Sequence, residues 1–275
     1  MANYTAADVK TLRERSGAGM MDCKNALDEA NGDLEKAMEL LRLKGLKGVT
    51  KREGRTTSNG LIVARTGSGK GMLLELACET DFVSKAAKFV ELADRVADAV
   101  FAAGSESVAD ALAVKLGEST VEDAIVAEAA VIGEKLELRK LAVLKASGID
   151  AYLHRTSPDL PPQVGVLLAF EGGDAAVAHD ISVHIAAFSP TYLSREEVPA
   201  TVVEKEREIA FETAKNEGKP EAALPKIVEG RVNGFFKENV LVEQDFAKDN
   251  KQTVSKVAES AGLKLVGFLR FRVGV

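Results

Sequence analysis

The first 45 residues carry apolar positions at the spacing of short amphipathic helices. Thr5 is followed three residues later by Asp8, the arrangement of a capping box at a helix start. Gly17 can adopt the left-handed conformation that ends a helix, and further apolar stripes follow over residues 21–30 and 34–41. The pattern therefore predicts three short helices in this part of the chain.

A polar stretch at 47–60 ends the first part, and the pattern then changes to that of strands. Two apolar runs flank a Gly-rich turn at 67–71, which predicts a β-hairpin. Helical periodicity returns over 82–103, with Phe89 among the inward positions, and Ala-rich helical pattern continues over 107–138. These segments predict a sheet packed against helices.

The same layout occurs a second time further along the chain. Residues 148–155 and 163–172 predict two strands joined by the turn 156–162, and residues 174–188 predict the following helix. The alternating pattern of residues 262–275 predicts a last strand that closes one of the sheets. Two related α+β halves are the simplest interpretation.

Residues 195–238 interrupt the second half with two highly charged segments of helical pattern. They meet at Gly218-Lys219-Pro220, a sequence typical of a helix end followed by a new start. We interpret the region as an antiparallel helical hairpin that projects from the body. It could mediate a homodimer or merely project, and the sequence leaves both open.

The predicted fold class is α+β, with antiparallel sheets, an N-terminal three-helix module and an inserted helical hairpin. We expect residues 1–54 to form the N-terminal module and linker, and residues 55–142 the first core subdomain. Residues 143–194 and 239–275 then form the second core subdomain, and 195–238 the coiled-coil or dimerisation-type insertion.

The charge of the 275-residue chain argues against a nucleic-acid partner. The formal net charge is −6 and the pI is about 5.4, and the chain has no Trp for base stacking. Its one small basic cluster, between residues 44 and 55, coincides with the Gly-containing polar stretch and favours a solvated linker. No apolar run approaches 18 residues and no secretory pattern opens the chain, so we expect a cytoplasmic protein without a membrane partner.

Several motifs that suggest chemistry fail on spacing. The Gly-rich turn lacks the first Gly of a phosphate-binding loop, because that position holds Ala64, and Gly71 replaces its final Ser or Thr. His179 and His184 are five residues apart, whereas two zinc ligands on one helix face are four apart. Neither Cys23 nor Cys78 has an evident base nearby, and two distant cysteines form no disulfide framework. We therefore predict no enzyme activity, metal or cofactor, and a protein that acts by contact.

The segment from Thr80 to Val83 leaves two interpretations open. Thr80 and Asp81 suit a helix start, and on a continuous helix Phe82 falls on the same side as Phe89, which favours a buried core residue. Alternatively the helix begins near Lys85, and Phe82 lies at the tip of a strand-to-helix bend as an exposed anchor. Periodicity does not distinguish the two.

Three segments carry a resemblance to a known family. Residues 12–42 look like its N-terminal module, and "CETDFVSK" at 78–85 looks like its Thr-Asp-Phe-Val signature. "VHIAAFSPTYL" at 183–193, with the charged segments after it, resembles its second half. The chain thus resembles bacterial elongation factor Ts, the guanine nucleotide exchange factor family of elongation factor Tu, over nearly all of its length.

The resemblance implies a ubiquitin-associated-like N-terminal module, a core of two α+β subdomains and a helical hairpin inserted in the second. It also implies elongation factor Tu, GDP-bound or nucleotide-free, as the partner, whose GDP is released when its magnesium site is disturbed. The positions that match partner-contacting residues are Thr80, Asp81, Phe82 and Val83, then Arg13, Met20 and Met21, and finally His184. Packing in the small-domain core is the alternative for Met20 or Met21.

Longer family members continue beyond the final strand into a C-terminal helical module with a further partner contact. Because this sequence ends at Val275, we expect binding to rest mainly on the N-terminal module and the core. The rival interpretations are a ubiquitin-associated-like adaptor that uses residues 1–45, an RNA-binding translation factor, and an enzyme that uses Cys23 or Cys78.

Overall fold

The computed structural model describes residues 3–16 and 18–275, without the side chains of 46–50; the helix end expected at Gly17 lies outside them. The helices are α1 Ala6–Ser16, α2 Met20–Glu29, α3 Leu34–Arg52, α4 Asp81–Ser84, α5 Ala87–Ala103, α6 Val108–Ala113, α7 Val121–Ile132, α8 Ala175–Phe188, α9 Ala200–Asn216, α10 Leu224–Asn239 and α11 Val254–Ser260. The strands are β1 Asn59–Gly67, β2 Lys70–Cys78, β3 Lys115–Leu116, β4 Ser119–Thr120, β5 Leu136–Lys145, β6 Gly148–His154, β7 Val164–Glu171, β8 Asp245–Phe246, β9 Asp249–Thr253 and β10 Lys264–Arg272.

The predicted β-hairpin is confirmed and forms two strands of the first sheet. β1 and β2 pair antiparallel around Ser68 and Gly69, which have φ angles of 52° and 73°. Two successive positive φ angles are what a two-residue hairpin turn requires, because they match the twist of the strands. Glycine adopts this conformation without cost, so the Gly-rich segment serves the turn rather than a phosphate.

The third strand of this sheet, β5, corrects the sequence interpretation, which extended a helix to residue 138. β5 pairs antiparallel with β2, and Arg139 is an extra residue in a β-bulge opposite Glu75 and Leu76. Leu138 and the next inward residue, Leu141, are therefore three positions apart rather than two. A spacing of three is typical of a helix, so the bulge hides the alternation of inward and outward residues that marks a strand.

The second sheet repeats the layout of the first, as predicted. It has the order β10-β7-β6, all antiparallel, while the first has the order β1-β2-β5. The two sheets pack against each other through buried Ile62, Leu73 and Leu167. Helices α5 to α7 cover the outer face of the first sheet, and α8 and α11 cover that of the second. The fold is therefore α+β, with helices outside and two antiparallel sheets between them.

The three N-terminal helices share their own small core, formed by Leu12, Cys23, Ala26, Leu27, Ala30 and Ala37. The backbone of α3 continues to Arg52, so the polar stretch expected to be a linker from residue 47 begins as helix. Arg52 reaches the carbonyl of Ala129 on α7 at 3.4 Å. This contact and the packing of α3 beside α7 connect the N-terminal helices to the core.

The charged region of the second half contains α9 and α10, which pack against each other through Ala210, Val228, Val232 and Phe236. Gly218, with a φ angle of 70°, lies two residues after the end of α9 at Asn216. A left-handed residue after a helix satisfies its last carbonyl groups and reverses the chain. Among the helices of residues 3–16 and 18–275, none is long and apolar enough to cross a membrane.

Candidate functional site

The junction between β2 and α5 differs from the single helix expected over residues 82–103. A separate four-residue helix, α4, precedes α5, and Ala86 between them has extended backbone with φ −67° and ψ 130°. Thr80 begins α4 with its own extended backbone and accepts a hydrogen bond from the Val83 amide at 3.4 Å. The chain therefore makes one helical turn, breaks, and starts again in a new direction.

This break places the two apolar residues of the turn in opposite environments. Phe82 is 81% exposed, whereas Val83 is 9% exposed and belongs to the core between the first sheet and its helices. The burial of Phe82 inferred from the helical wheel alone is wrong, because that inference assumed one continuous helix. Val83, which the resemblance placed among the partner-contacting positions, packs inward in this structure.

Thr80 is fixed by a carboxylate that is distant in sequence. Its hydroxyl donates to Glu134 Oε1 at 2.6 Å and its amide donates to Glu134 Oε2 at 3.0 Å. Glu134 follows the end of α7, where Gly133 has a φ angle of 86°. Both oxygens of one carboxylate thus hold Thr80, the half-buried residue that begins α4.

A second carboxylate makes the reciprocal connection. Glu79 Oε1 accepts the Lys135 amide at 2.6 Å, and the Arg55 guanidinium approaches Glu79 Oε2 at 3.2 Å. We call the paired contacts Glu134–Thr80 and Glu79–Lys135 the carboxylate clasp. Sequence reasoning missed both glutamates, because their partners lie more than 50 residues away. A carboxylate directly after the helix-ending Gly133 was the only local signal.

Asp81 lies on the exposed side of the turn, beside Phe82. Its Oδ2 atom pairs with Lys85 Nζ at 2.8 Å, one helical turn later. The hydrogen bond from Lys85 holds the pKa of Asp81 below its usual value and raises the pKa of Lys85. The side chain is therefore an anion at neutral pH, and it can exchange Lys85 for a hydrogen-bond donor of a partner.

Cys78 precedes the turn and is buried. Its thiol donates to the Thr80 carbonyl at 3.2 Å. Burial, with a smaller contribution from the nearby Glu134 carboxylate, raises the pKa of Cys78 to about 12. A thiol with that pKa stays protonated at neutral pH, which argues against Cys78 as a nucleophile.

The three expected site residues of the N-terminal helices lie together. Arg13, Met20 and Met21 line one groove of about 440 Å³, with Tyr4 and Val9 among its other walls. Met20 and Met21 are 59% and 64% exposed, so neither belongs to the small core. A basic residue beside flexible, exposed methionines is typical of a surface that adapts to a partner.

His184, which the resemblance also placed among the partner-contacting positions, is fully buried. The Ala247 amide donates to Nδ1 at 3.2 Å, so Nε2 carries the proton and donates to Gln244 Oε1 at 2.9 Å. Burial lowers the pKa of His184, which keeps the ring neutral. Its ring stacks on Phe188, 4.6 Å between centroids, and Phe188 is 53% exposed. In this structure the His184 ring presents no surface to solvent, and Phe188 covers it.

The described residues, 3–16 and 18–275, contain no group of three or more His, Cys, Asp or Glu side chains that could hold a metal. Fold and site together define an α+β protein that presents an aromatic side chain on a braced turn at its surface. The family model for elongation factor Ts matches residues 79–275, more than half of the chain, and its match begins at this turn.

Proteins named elongation factor Ts align with this chain over its full length. The chain is 58% identical to elongation factor Ts of Paenarthrobacter aurescens (strain TC1), 60% to that of Micrococcus luteus and 59% to that of Clavibacter michiganensis subsp. michiganensis. Each alignment covers 100% of this chain and 100% of the relative. The chain belongs to the elongation factor Ts family, which places it among the translation elongation factors of protein biosynthesis.

Proposed function

We propose that this protein binds elongation factor Tu in its GDP-bound form and promotes release of GDP, so that GTP can replace it. The single observation that carries the proposal is the Phe82 ring, which is 81% exposed on a turn fixed by Thr80 and Val83. An exposed aromatic on a rigid support is the type of residue that dominates protein interfaces. The protein itself makes and breaks no covalent bond.

Phe82 enters the nucleotide-binding domain of the partner and wedges between helices beside its magnesium site. Asp81 leaves Lys85 and hydrogen-bonds to the same region, with Thr80 and Val83 holding the turn. The displaced helices misplace the groups that hold magnesium and phosphate. GDP then loses its charge-assisted contacts and dissociates.

The energies required agree with a wedge rather than with an ion pair. By linkage, the exchange factor weakens GDP binding by the same factor by which GDP weakens binding of the exchange factor. A ~10⁴-fold effect needs about 5.5 kcal/mol of differential binding. An exposed ion pair supplies about 0–1 kcal/mol, whereas a buried aromatic supplies about 2–4 kcal/mol and further contacts the remainder.

The N-terminal groove supplies further contacts. Arg13, Met20 and Met21 line it together, and both methionines present more than half of their surface to solvent. We infer that a ubiquitin-associated-like module of residues 1–54 docks on the partner through this groove. Burial of two methionine side chains contributes affinity without requiring a rigid match of shapes.

The proposal also assigns a role to the remaining parts of the chain. Residues 55–142 and residues 143–194 with 239–275 form the two core subdomains, although β5 of the first sheet extends to Lys145. Residues 195–238 form the inserted helical hairpin, which can mediate a homodimer. The protein works in the cytoplasm, where translation takes place, and does not bind nucleic acid directly.

The test is release of fluorescently labelled GDP from elongation factor Tu with and without this protein. We expect release to accelerate with its concentration and then to saturate. Binding to nucleotide-free elongation factor Tu should be tighter than binding to the GDP-bound form by the same factor by which GDP affinity falls. Unchanged release at concentrations where the two proteins form a complex would contradict the proposal.

An adaptor function is the second candidate, because the N-terminal groove is an exposed site of its own. An adaptor would bind its target through residues 1–45 within the full chain, and Phe82 would not matter. Met20→Ala with Met21→Ala would then abolish binding, and Phe82→Ala would leave it unchanged. If the protein is an exchange factor, Phe82→Ala should impair it more than the double methionine variant does.

A further inference from the structure

We propose that Glu134 is a positioning residue for nucleotide exchange: it holds the α4 turn so that Phe82 is presented in one orientation before a partner arrives. The inference rests on the proposed function, and it assigns a role to a residue outside the Thr80–Val83 segment. The observation behind it is the pair of hydrogen bonds from Thr80 to both oxygens of the Glu134 carboxylate, at 2.6 and 3.0 Å.

The α4 helix cannot hold its own shape. It has four residues, from Asp81 to Ser84, which is a single turn. Isolated helices shorter than about 12 residues are marginal in water, because the first turn costs more conformational entropy than its hydrogen bonds return. The turn that carries Phe82 therefore depends on contacts from outside it.

Thr80 links Glu134 to the α4 turn by hydrogen bonds on both sides of its hydroxyl. Its hydroxyl gives its proton to Glu134 Oε1 and accepts the Val83 amide at 3.4 Å with a lone pair. Glu134 thus sets the direction of the hydroxyl, and the hydroxyl caps the first turn of α4. A capped turn fixes the Cα–Cβ direction of Phe82, which lies two residues after Thr80.

Glu134 is itself well supported. It lies between α7 and β5, and β5 pairs with β2 so that Leu136 is opposite Cys78. The carboxylate is therefore carried to the end of the sheet from which the α4 turn emerges. Glu79 completes the carboxylate clasp in the reverse direction by accepting the Lys135 amide at 2.6 Å. Two crossed contacts restrain rotation of the junction more than one contact would.

The consequence is a turn that is ordered before binding. An exposed side chain that must be ordered at the moment of association weakens binding by roughly two- to tenfold, a cost that a preorganised side chain avoids. Without Glu134, Phe82 would still be present and exposed, but it would sample several orientations. Exchange would then be slower and residue 82 would move more, while the core would stay folded.

The experiment uses the full chain and residue 82 itself as the reporter. The sequence has no Trp, so Phe82→Trp introduces a single Trp, whose fluorescence can be excited separately from that of tyrosine. Time-resolved anisotropy of this residue in the free protein measures its motion without any GTPase. We expect Glu134→Ala to increase the fast component, and Glu134→Gln, which keeps one acceptor oxygen, to restore most of the restraint. Glu91→Ala, on the exposed face of α5, is the matched control.

Exchange is then measured with Phe82 intact, as release of labelled GDP from elongation factor Tu. We expect Glu134→Ala to slow release by roughly two- to tenfold at subsaturating concentration, as expected for one side chain that must be ordered on binding. Thr80→Val should give a similar loss, and the double variant should lose little more, because both changes break the hydrogen bond between the Thr80 hydroxyl and Glu134 Oε1. Urea unfolding controls for loss of the fold.

The outcomes separate this inference from the proposed function. If Phe82→Ala is inactive while Glu134→Ala exchanges like the wild type with an equally rigid Trp at position 82, the role of Glu134 is wrong and the wedge stands. If Phe82→Ala exchanges normally, the wedge is wrong. The anisotropy result still decides whether Glu134 restrains the turn. Additive effects of Glu134→Ala and Thr80→Val would also overturn the inference.

Discussion

The two halves of the core make the same connection from a central strand to a helix in different ways. In the second half, residues 172–174 lead directly from β7 into α8, and Gly172 and Gly173 have φ angles of 68° and 69°. In the first half, residues 79–86 separate β2 from α5 and contain the additional helix α4. The short connection shows that the layout does not require a helical turn there.

The difference identifies the part of the molecule that is available for function. The first junction exposes Phe82 and is braced by the carboxylate clasp, whereas His184 of the second half is fully buried under Phe188. Binding residues commonly lie on connections that a rigid scaffold supports. Under the proposed function the additional turn is the site, and the short junction is the reference against which it can be tested.

The largest effect is expected at the exposed ring of the first junction. Phe82→Ala should slow nucleotide exchange by roughly 30- to 1000-fold, the equivalent of about 2–4 kcal/mol for an aromatic hot spot. The midpoint of urea unfolding should not change, because the ring makes little contact with its own chain. Stopped-flow release of labelled GDP measures the rate.

Phe188→Ala is the matched control, because Phe188 is an exposed phenylalanine of the other half. It should leave exchange within about twofold of the wild type, as for most residues outside a hot spot. If Phe188→Ala and Phe82→Ala slowed exchange equally, the first junction would not differ in function from the second half.

His184→Ala should affect stability instead of exchange. It leaves a cavity and deprives Gln244 and the Ala247 amide of their buried partner. Each of these effects is destabilising, and together they should lower the free energy of unfolding by about 2–3 kcal/mol. Urea denaturation measures this value. An unchanged stability with impaired exchange would instead support direct partner contact by His184.

A smaller effect is expected at the N-terminal groove. Met20→Ala combined with Met21→Ala should weaken binding of elongation factor Tu by about fivefold, near 1 kcal/mol, since both side chains are peripheral to the wedge. The maximal rate of GDP release should not change, and isothermal titration together with saturation kinetics separates the two quantities. Leu43→Ala, 50% exposed on α3 outside the groove, is the control.

The smallest effect is a pH dependence of stability. Burial lowers the pKa of His184 below its ordinary value of 6.5, so the unfolded chain binds a proton that the folded chain does not. The free energy of unfolding should therefore fall as the pH drops below about 6.5, until the pH reaches the folded pKa. His184→Gln should have a shallower dependence in the same titration, and identical slopes would rule out this contribution.

Much of the fold could be predicted from periodicity, because most elements pack one face inward. The hairpin of β1 and β2, the strands β6 and β7, and helix α8 all lie where the pattern placed them. β5 could not be found in this way, since the bulge at Arg139 moves its inward positions out of alternation. A bulge depends on the partner strand, which periodicity within one segment does not reveal.

The candidate site was less accessible to sequence reasoning. A helical wheel places Phe82 in the core only if the helix is continuous, whereas the extended backbone of Ala86 interrupts it and Thr80, before the break, contacts Glu134. This contact joins residues that are distant in sequence. The resemblance to a family drew attention to the exposed Phe82, but it also suggested His184, which is buried. Matching a motif does not show whether a side chain is accessible.

The central claim, that the ring at position 82 leaves solvent and enters the GTPase, can be tested with the Phe82→Trp variant. Iodide quenching of this single Trp is measured in the free protein and in complex with nucleotide-free elongation factor Tu, with the partner's own fluorescence subtracted. We predict strong quenching in the free protein, protection with a blue-shifted emission in the complex, and recovery when excess GDP is added. Equal quenching in the free protein and the complex would contradict the account.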